Sequence, residues 1–586
     1  MAVPPRPPDS SHRRRARPVT AAALGALILA AALLPAAGGA ADAPTSPSTS
    51  TPATSPTPAP APAPAEVTSL PRVRLLSQAQ YFNTLGYVFG PDITVSAHFT
   101  PFRRTDGLVE TGASVAGVTS GQIDEFQRTA IAIAGQVVGP QHRSFLVPCA
   151  PKSELAADPR CAALFIEPVG RLLYRRALTK DQENSLVDLA GRSADKLGSF
   201  HDGLAVALNA MLISPDFLFV IDRYEPDPDH PGVMRLDAYS YATRLSLLLW
   251  NAGPDDELIR SAETGELQTA AGRARQVDRL LASSRLESGV RAFFEDMLGF
   301  DDLASLSKDA HIYPVFSGVT LQDAREQTLR TIYDQLVTRK MDYRDLFTTR
   351  DTFISPSLAA LLQVPAPPGW SAYTSPEGSP RVGLLTQISF LSGHAHPGRS
   401  SPTLRGKALR ELLLCQKVPR PPPNVDFSIV ENPNSTMKTA RERLTAHRAN
   451  PVCAGCHKLT DPIGLALENF DGSGQFRQTE RGATIDTSGS LDGREFTDAI
   501  GLGQALHDHP ALPACLVQRV YSYATGSPVA ANDKPVVQQL TKHFAEDGYR
   551  LPDLLRSIAL SPGFSNVSPR VAPERTALNS TTGASR

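Results

Sequence analysis

The chain has 586 residues, of which 41% are hydrophobic and 20% are charged, and its formal net charge is −1. This length exceeds one domain of ~100–200 residues and predicts two to four folded units. The charge balance gives no reason to expect a nucleic-acid partner, because phosphate binding requires a clustered positive field. Six cysteines are too few for a disulfide scaffold, so each one needs its own explanation.

The N-terminus has the pattern of an export signal, predicted over residues 1–43. A cluster of arginines precedes an apolar run, and small residues follow near Ala41-Asp42-Ala43. The alternative is an uncleaved anchor, but the run from Val19 to Leu34 is shorter than the ~20 residues of a membrane span. We therefore expect a periplasmic or envelope location, with membrane contact only through an uncleaved signal. Residues 44–66 are rich in Pro, Ser, Thr and Ala, which predicts an extended spacer.

The remaining pattern predicts a mostly α fold. Thr179-Lys-Asp-Gln182 is a capping box before a helix, and Asp237 is positioned to cap another. One short β-hairpin is allowed near Thr484–Phe496, where Asp492-Gly493 is a turn signal. The predicted units are an N-terminal helical unit (67–145), a second helical unit (146–226), a central helical unit (232–364), a CxxCH unit (380–480), a C-terminal helical unit (484–567) and a tail (568–586).

The stretch Cys453-Ala-Gly-Cys456-His457 carries the most specific chemical signal. The C-x-x-C-H spacing suits covalent haem attachment through two thioethers, with the adjacent histidine as the proximal iron ligand. A structural zinc site would need a second cysteine pair, which the chain lacks. A thioredoxin-like redox pair would need a βαβ setting, and a disulfide between these two cysteines would be strained. The sequence thus favours one covalently bound haem c.

The second axial ligand is less defined by the pattern. In falling order, the distal candidates are His447, His394, His396 and Met437. Methionine would raise the reduction potential, whereas a second histidine would lower it. Arg405 and Lys407 are candidates for contacts with haem propionates, because guanidinium and ammonium groups pair with carboxylates.

Six stretches of the chain resemble a large bacterial multidomain family that carries a haem c motif. The family is known from planctomycetes, myxobacteria and some proteobacteria, and consists of domains of unknown function 1587, 1595, 1592, 1588 and 1585 in chain order. The similar stretches are "LLSQAQYFNTLGYVFG" (75–90), "CAALFIEPVGRLLYRRALTKDQ" (161–182), the segments 235–259 and 383–425, "NPVCAGCHKLTDPIGLALENFDGSGQFR" (450–477) and "LPACLVQRVYSYATGS" (512–527).

The resemblance implies a cytochrome c-like region and export, and it implies no particular substrate. Thr460 stands where the family often has methionine, so this position cannot supply a sulfur ligand. Within this picture, a disulfide between Cys149 and Cys161 would close a short polar loop in an oxidising periplasm. Cys415 and Cys515 are then left as a second pair.

Two functional hypotheses follow. The first is an exported mono-haem c protein that transfers electrons to a redox partner protein, or that oxidises a small substrate or uses peroxide if the sixth iron site is open. The second is an envelope binding or scaffold protein whose haem is accessory or sensory. The second is motivated by the amount of protein around one haem: most of the 586 residues lie outside the CxxCH unit.

Overall fold

The computed structural model describes residues 72–420, 436–449 and 451–567. The predicted export signal (1–43), spacer (44–66) and tail (568–586) lie outside these residues. No helix within the described ranges has the length and apolarity needed to cross a bilayer.

Helices dominate the described chain, which confirms the mostly α prediction. The α-helices are Gln78–Phe89, Val109–Ala113, Ser120–Val137, Arg143–Leu146, Pro159–Leu173, Lys180–Leu197, Phe200–Leu212, Pro215–Leu218, Ala238–Trp250, Asp256–Glu263, Ala270–Leu281, Leu286–Met297, Gly318–Tyr333, Pro356–Leu362, Ile388–Gly393, Pro402–Ala408, Ala440–Arg448, Pro451–Gly464, Ala499–His507, Ala511–Thr525, Lys534–Glu546, Leu551–Ala559 and Pro562–Ser565. Wider π-type turns extend two of them at Asp334–Thr338 and Leu409–Leu413.

Local capping chemistry explains many of the helix starts. The Thr179 hydroxyl accepts from the Gln182 amide, and the Gln182 side chain returns to the Thr179 amide, as the capping box predicted. The Asp237 carboxylate accepts from the Ser240 amide at the start of Ala238–Trp250. These side chains satisfy amides that have no partner within the helix.

The described residues form five small antiparallel sheets, where the sequence predicted at most one hairpin. The strands are Val73–Leu75, Phe219–Ile221, Tyr224–Pro226, Met234–Leu236, Asp351–Ile354, Ser371–Thr374, Thr479–Glu480, Ala483–Thr484, Gly489–Leu491, Arg494–Phe496 and Asn566–Val567. Each has only two to four residues, too few to produce a visible alternation of polar and apolar side chains.

The predicted hairpin is confirmed in a shorter form. Gly489–Leu491 pairs with Arg494–Phe496, and Asp492 and Gly493 form the turn with φ of 48° and 92°. Two consecutive positive φ angles are typical of a type I′ hairpin turn, which favours Asp-Gly.

Two large hydrophobic clusters form the core. One contains residues from Leu75 to Val220, together with Leu247. The other runs from Leu236 to Val567 and also includes Leu108. The predicted central, CxxCH and C-terminal units therefore share one core. The three-stranded sheet reinforces this, because Asn566–Val567 pairs with Met234–Leu236.

Candidate functional site

The Cys-Ala-Gly-Cys-His motif lies on the helix Pro451–Gly464, which is packed tightly against the helix Pro402–Ala408. Two glycines permit the close approach. A Cβ on Gly406 would lie 2.0 Å from the Thr460 carbonyl oxygen, and a Cβ on Gly464 would lie 1.8 Å from the Pro402 carbonyl oxygen. The helix Ala440–Arg448 packs against the motif helix as well. The three helices position the side chains of the site.

Cys453 and Cys456 are free thiols in the structure, whereas the other four cysteines are paired. Cys453 is buried, and Cys456 is partly exposed, with its Sγ 3.3 Å from the Pro419 carbonyl oxygen. Residues three apart on a helix lie on the same face, so both thiols lie on one side of the motif helix. Only Cys456 of the two lines the adjacent cavity.

His457 is held by a buried carboxylate. Its Nδ1 lies 2.9 and 3.0 Å from the two carboxylate oxygens of Asp461, one helical turn later. Asp461 has no exposed surface, and the Thr403 hydroxyl donates to it over 2.9 Å. A carboxylate that accepts from Nδ1–H fixes the tautomer and leaves Nε2 as the ligating atom, an arrangement common in metal-binding histidines.

A cavity of about 380 Å³ opens beside His457. This volume lies within the range of about 300–1,000 Å³ that small-molecule and cofactor sites occupy. Its lining includes Cys456, His457 and His447, and three cationic side chains that extend from different elements: Arg399, Lys407 and Arg443. Arg443 also pairs with Glu480. The cavity therefore combines a thiol, imidazole rings and basic side chains.

His447 is the distal candidate that lies nearest to His457. Their ring centres are 4.8 Å apart and the rings meet edge to face. When two imidazoles bind one metal ion from opposite sides, each metal–nitrogen bond is about 2 Å long, so the two ligating nitrogens lie about 4 Å apart. The ring centres are then farther apart than the nitrogens. The two rings as they stand leave no room for an ion between them, so His447 would have to move to become a second ligand.

The other distal candidates are less well placed. His396 lines the cavity, but His394 and Met437 do not. The His394 ring packs against Phe390, and burial together with the nearby charges of Arg405 and Lys308 lowers its pKa to about 4. The structure therefore groups His447 and His396 with His457 and separates His394 and Met437 from it.

The prediction that Arg405 contacts a propionate is wrong. Arg405 is fully buried and does not line the cavity. Its guanidinium donates to the main-chain carbonyls of Leu391, Leu467, Phe470 and Asp471, so it holds together the loops around the motif. Lys407 is half-exposed and lines the cavity, as a propionate contact requires.

Disulfides join Cys149 to Cys161 and Cys415 to Cys515, the two pairs considered from the sequence. Within the described ranges no group of three or more His, Cys, Asp or Glu side chains is arranged to hold a metal ion. A zinc site around Cys453 and Cys456 accordingly lacks its other ligands among these residues.

Asp461 and Arg443 are the functional candidates that the sequence did not single out. Asp461 has no contact with solvent. The His-x-x-x-Asp spacing on a helix was the available signal, because residues four apart are neighbours. Arg443 gave no comparable signal, since its place in the cavity depends on tertiary packing.

Four family models match the chain, and all describe proteins of unknown function. They are domain of unknown function 1595 (161–222), 1592 (236–364), 1588 (381–480) and 1585 (492–564). These matches support the multidomain family that the sequence resembles. The model for domain 1587, expected at the N-terminus of the folded part, is not among them. No curated protein and no solved structure matches the chain significantly.

The candidate site falls within the stretch that matches the model for domain 1588, which is also named PSCyt3. Cys453, Cys456, His457 and Asp461 all lie inside its limits. The lining residues Arg399, Lys407, Arg443 and His447 do so too. The cavity is thus a feature of one domain, even though the core beneath it is shared with its neighbours.

Proposed function

We propose that the chain is an exported mono-haem c protein that transfers electrons in the cell envelope. The observation that carries the proposal is the pairing of two free thiols in C-x-x-C-H spacing with a histidine whose Nδ1 is fixed by a buried carboxylate. The name PSCyt3 of the matching model hints at a cytochrome-like family. The signal-like N-terminus adds the expectation of export.

Each residue of the site has a distinct role in the proposal. Cys453 and Cys456 would form the thioether bonds, and His457 Nε2 would ligate the iron. Asp461 would hold the His457 ring in place by accepting a hydrogen bond from its Nδ1–H. An anionic acceptor at this position makes the imidazole a stronger ligand. Lys407 and Arg443 would pair with the propionates. Bound haem would supply a one-electron redox centre.

Covalent attachment can be tested by pyridine haemochrome spectroscopy of the full chain produced with a c-type cytochrome maturation system. We expect a c-type spectrum with one haem per chain. Cys453→Ala with Cys456→Ala should lose covalent haem, because both thioether positions are gone. The matched control, Cys149→Ala with Cys161→Ala, removes two disulfide-bonded cysteines elsewhere and should keep covalent haem. Bound haem that is unchanged in the first variant would disprove the proposal.

The second version of the proposal is a haem-dependent oxidoreductase that uses peroxide or a small oxidisable substrate. It is supported by the contact between the His447 and His457 rings, because His447 would have to move before it could ligate the iron. The absorption spectrum distinguishes the two versions. A five-coordinate haem that binds carbon monoxide and cyanide would favour the oxidoreductase. A six-coordinate low-spin haem whose spectrum does not change when carbon monoxide or cyanide is added would favour electron transfer.

A further inference from the structure

The segments that form the CxxCH cavity are basic, although the chain as a whole is close to neutral. Between Arg399 and Thr460 the sequence has 11 Lys and Arg residues and 4 Asp and Glu residues, a local formal charge of +7. The whole chain has a formal net charge of −1. Among the described residues, no aspartate or glutamate lines the cavity. The exposed carboxylate of Glu442 is already engaged, because it accepts from main-chain amides where the helix Ala440–Arg448 begins.

Four basic side chains beside the cavity form a surface that we call the basic rim: Lys407, Arg420, Arg448 and Lys458. Lys407 lines the cavity itself. Each of the other three directly follows a residue that lines the cavity. Consecutive Cα atoms are about 3.8 Å apart, so these three residues also lie at the cavity. Lys407, Arg420 and Lys458 are exposed and Arg448 is partly exposed, so solvent and other molecules can reach the rim.

The basic rim keeps most of its positive charge in the folded protein. Arg420, Arg448 and Lys458 make no ion pair with any residue that the structure describes. Lys407 has one acidic neighbour, Glu411, at 3.9 Å, which is the outer limit of an ion pair. Exposed charges without a close partner remain available to an oppositely charged molecule, and they lose little hydration before contact. The rim therefore attracts an anionic surface.

Two exposed leucines lie among these charges. Leu404 lines the cavity and is 38% exposed, and Leu459, which follows Lys458, is 36% exposed. Apolar side chains surrounded by polar ones are typical of protein–protein interfaces. A single-stranded nucleic acid would instead need aromatic side chains on which its bases stack, and no Phe, Tyr or Trp is among the described residues that line the cavity. The combination favours a protein as the anionic partner.

We propose that the basic rim, together with Leu404 and Leu459, docks an acidic protein surface. The inference rests on the proposed function in one respect, since the docked protein would be the redox partner of the haem. Lys407 would be partly neutralised by a haem propionate, but Arg420, Arg448 and Lys458 would keep their charge. Complementary charges increase the rate of association and fix the orientation of the partner, which brings its redox centre to the cavity.

Fluorescence anisotropy of labelled acidic peptides, titrated with the full chain with and without haem, measures the docking. The probes are polyglutamate and a peptide of equal charge that has leucines between its glutamates. We expect both to bind, the second roughly fivefold more tightly because it also contacts Leu404 and Leu459. Raising the salt concentration from about 0.02 to about 0.2 M should weaken both about tenfold or more, since salt screens exposed charges.

Arg420→Glu with Lys458→Glu should weaken polyglutamate binding about tenfold at low salt, because two attractions become repulsions. The matched control is Lys196→Glu with Lys542→Glu. It changes the net charge by the same amount, on exposed side chains of two other helices. The control variant should keep the wild-type affinity, since those lysines lie outside the basic rim.

The proposal is overturned if neither peptide binds, or if the two double variants weaken binding equally, because the attraction would then come from net charge alone. Oligothymidylate of the same charge should bind more weakly than the leucine-containing peptide. Equal or tighter binding of oligothymidylate would assign the rim to nucleic acid instead. Peptide binding by a chain whose pyridine haemochrome spectrum shows no haem would leave the docking surface in place without the haem, so the two proposals fail separately.

Discussion

His457 and Asp461 form the most closely defined pair of the candidate site. Both carboxylate oxygens of Asp461 lie within 3.0 Å of His457 Nδ1, and Thr403 donates to the same carboxylate. An anionic acceptor makes an imidazole a stronger electron donor than a neutral carbonyl acceptor does. The pair would therefore stabilise oxidised iron and lower the reduction potential of a haem bound at His457.

Asp461→Asn should raise the midpoint potential of the haem-loaded protein. The amide carries no negative charge, so His457 would donate less electron density. We expect an increase of roughly 60 mV, which corresponds to a tenfold change in a one-electron equilibrium. Spectroelectrochemical titration measures the shift.

Asp498→Asn is the matched control for this substitution. Asp498 caps the helix Ala499–His507, and asparagine is an equally good capping residue. The control variant should keep the wild-type potential. An Asp461→Asn potential equal to or below that of the wild type would show that the carboxylate does not tune the iron.

At the scale of elements, the helix Pro402–Ala408 has two basic residues with opposite environments. Arg405 is fully buried and donates to four main-chain carbonyls, whereas the Lys407 side chain is 42% exposed. The Arg405 guanidinium links this helix to the segments that precede and follow it: Leu391 on one side, and Leu467, Phe470 and Asp471 on the other.

Arg405→Met should reduce the free energy of unfolding by about 3–5 kcal/mol, because four main-chain carbonyls would lose their donor and the buried carboxylate of Glu468 would lose one of its two arginine partners. Lys407→Met on the same helix should change it by no more than about 0.5 kcal/mol. Urea denaturation followed by circular dichroism measures both values. Similar losses in the two variants would contradict the structural role of Arg405.

The sequence predicted those features that depend on neighbouring residues. Thr179 and Asp237 begin helices because a capping side chain needs only an amide two or three residues later. Asp492-Gly493 forms the hairpin turn for a similarly local reason. Arg405 was misread because its acceptors lie up to 66 residues away in sequence, a separation that no local pattern reports.

At the scale of the whole molecule, the shared core limits the experiments that can distinguish the functional hypotheses. Deleting everything after residue 380 would remove much of the larger cluster, including Leu516, Val520 and Phe564. Such a truncated chain would expose the apolar surface of the central unit and would be expected to misfold. Point substitutions in the full chain are therefore the sound way to separate haem binding from partner binding.

The stability of the molecule should also depend on pH through His394. Its pKa is lowered to about 4 from 6.5 in the folded protein. Between these values the unfolded chain binds more protons, so the free energy of unfolding falls as the pH decreases from 6.5 to 4, by up to about 3 kcal/mol. Urea titrations at a series of pH values measure this dependence.

His394→Gln should flatten the pH dependence of stability over this range, because glutamine does not titrate. The control is His311→Gln, since the His311 side chain is 99% exposed in the folded protein. It should retain the wild-type profile. Equal slopes for the His394→Gln variant and the wild type would assign the acid sensitivity to other groups.

The bond between Cys415 and Cys515 closes a covalent ring of the polypeptide. The segment that this bond closes includes the whole motif helix Pro451–Gly464, together with Arg443 and His447. A single proteolytic cut anywhere between the two cysteines would leave both fragments joined, and the motif would remain attached to the rest of the protein. After such a single cut, the two fragments would separate covalently only when the disulfide is also reduced. The candidate site is thus tethered twice to the body of the molecule.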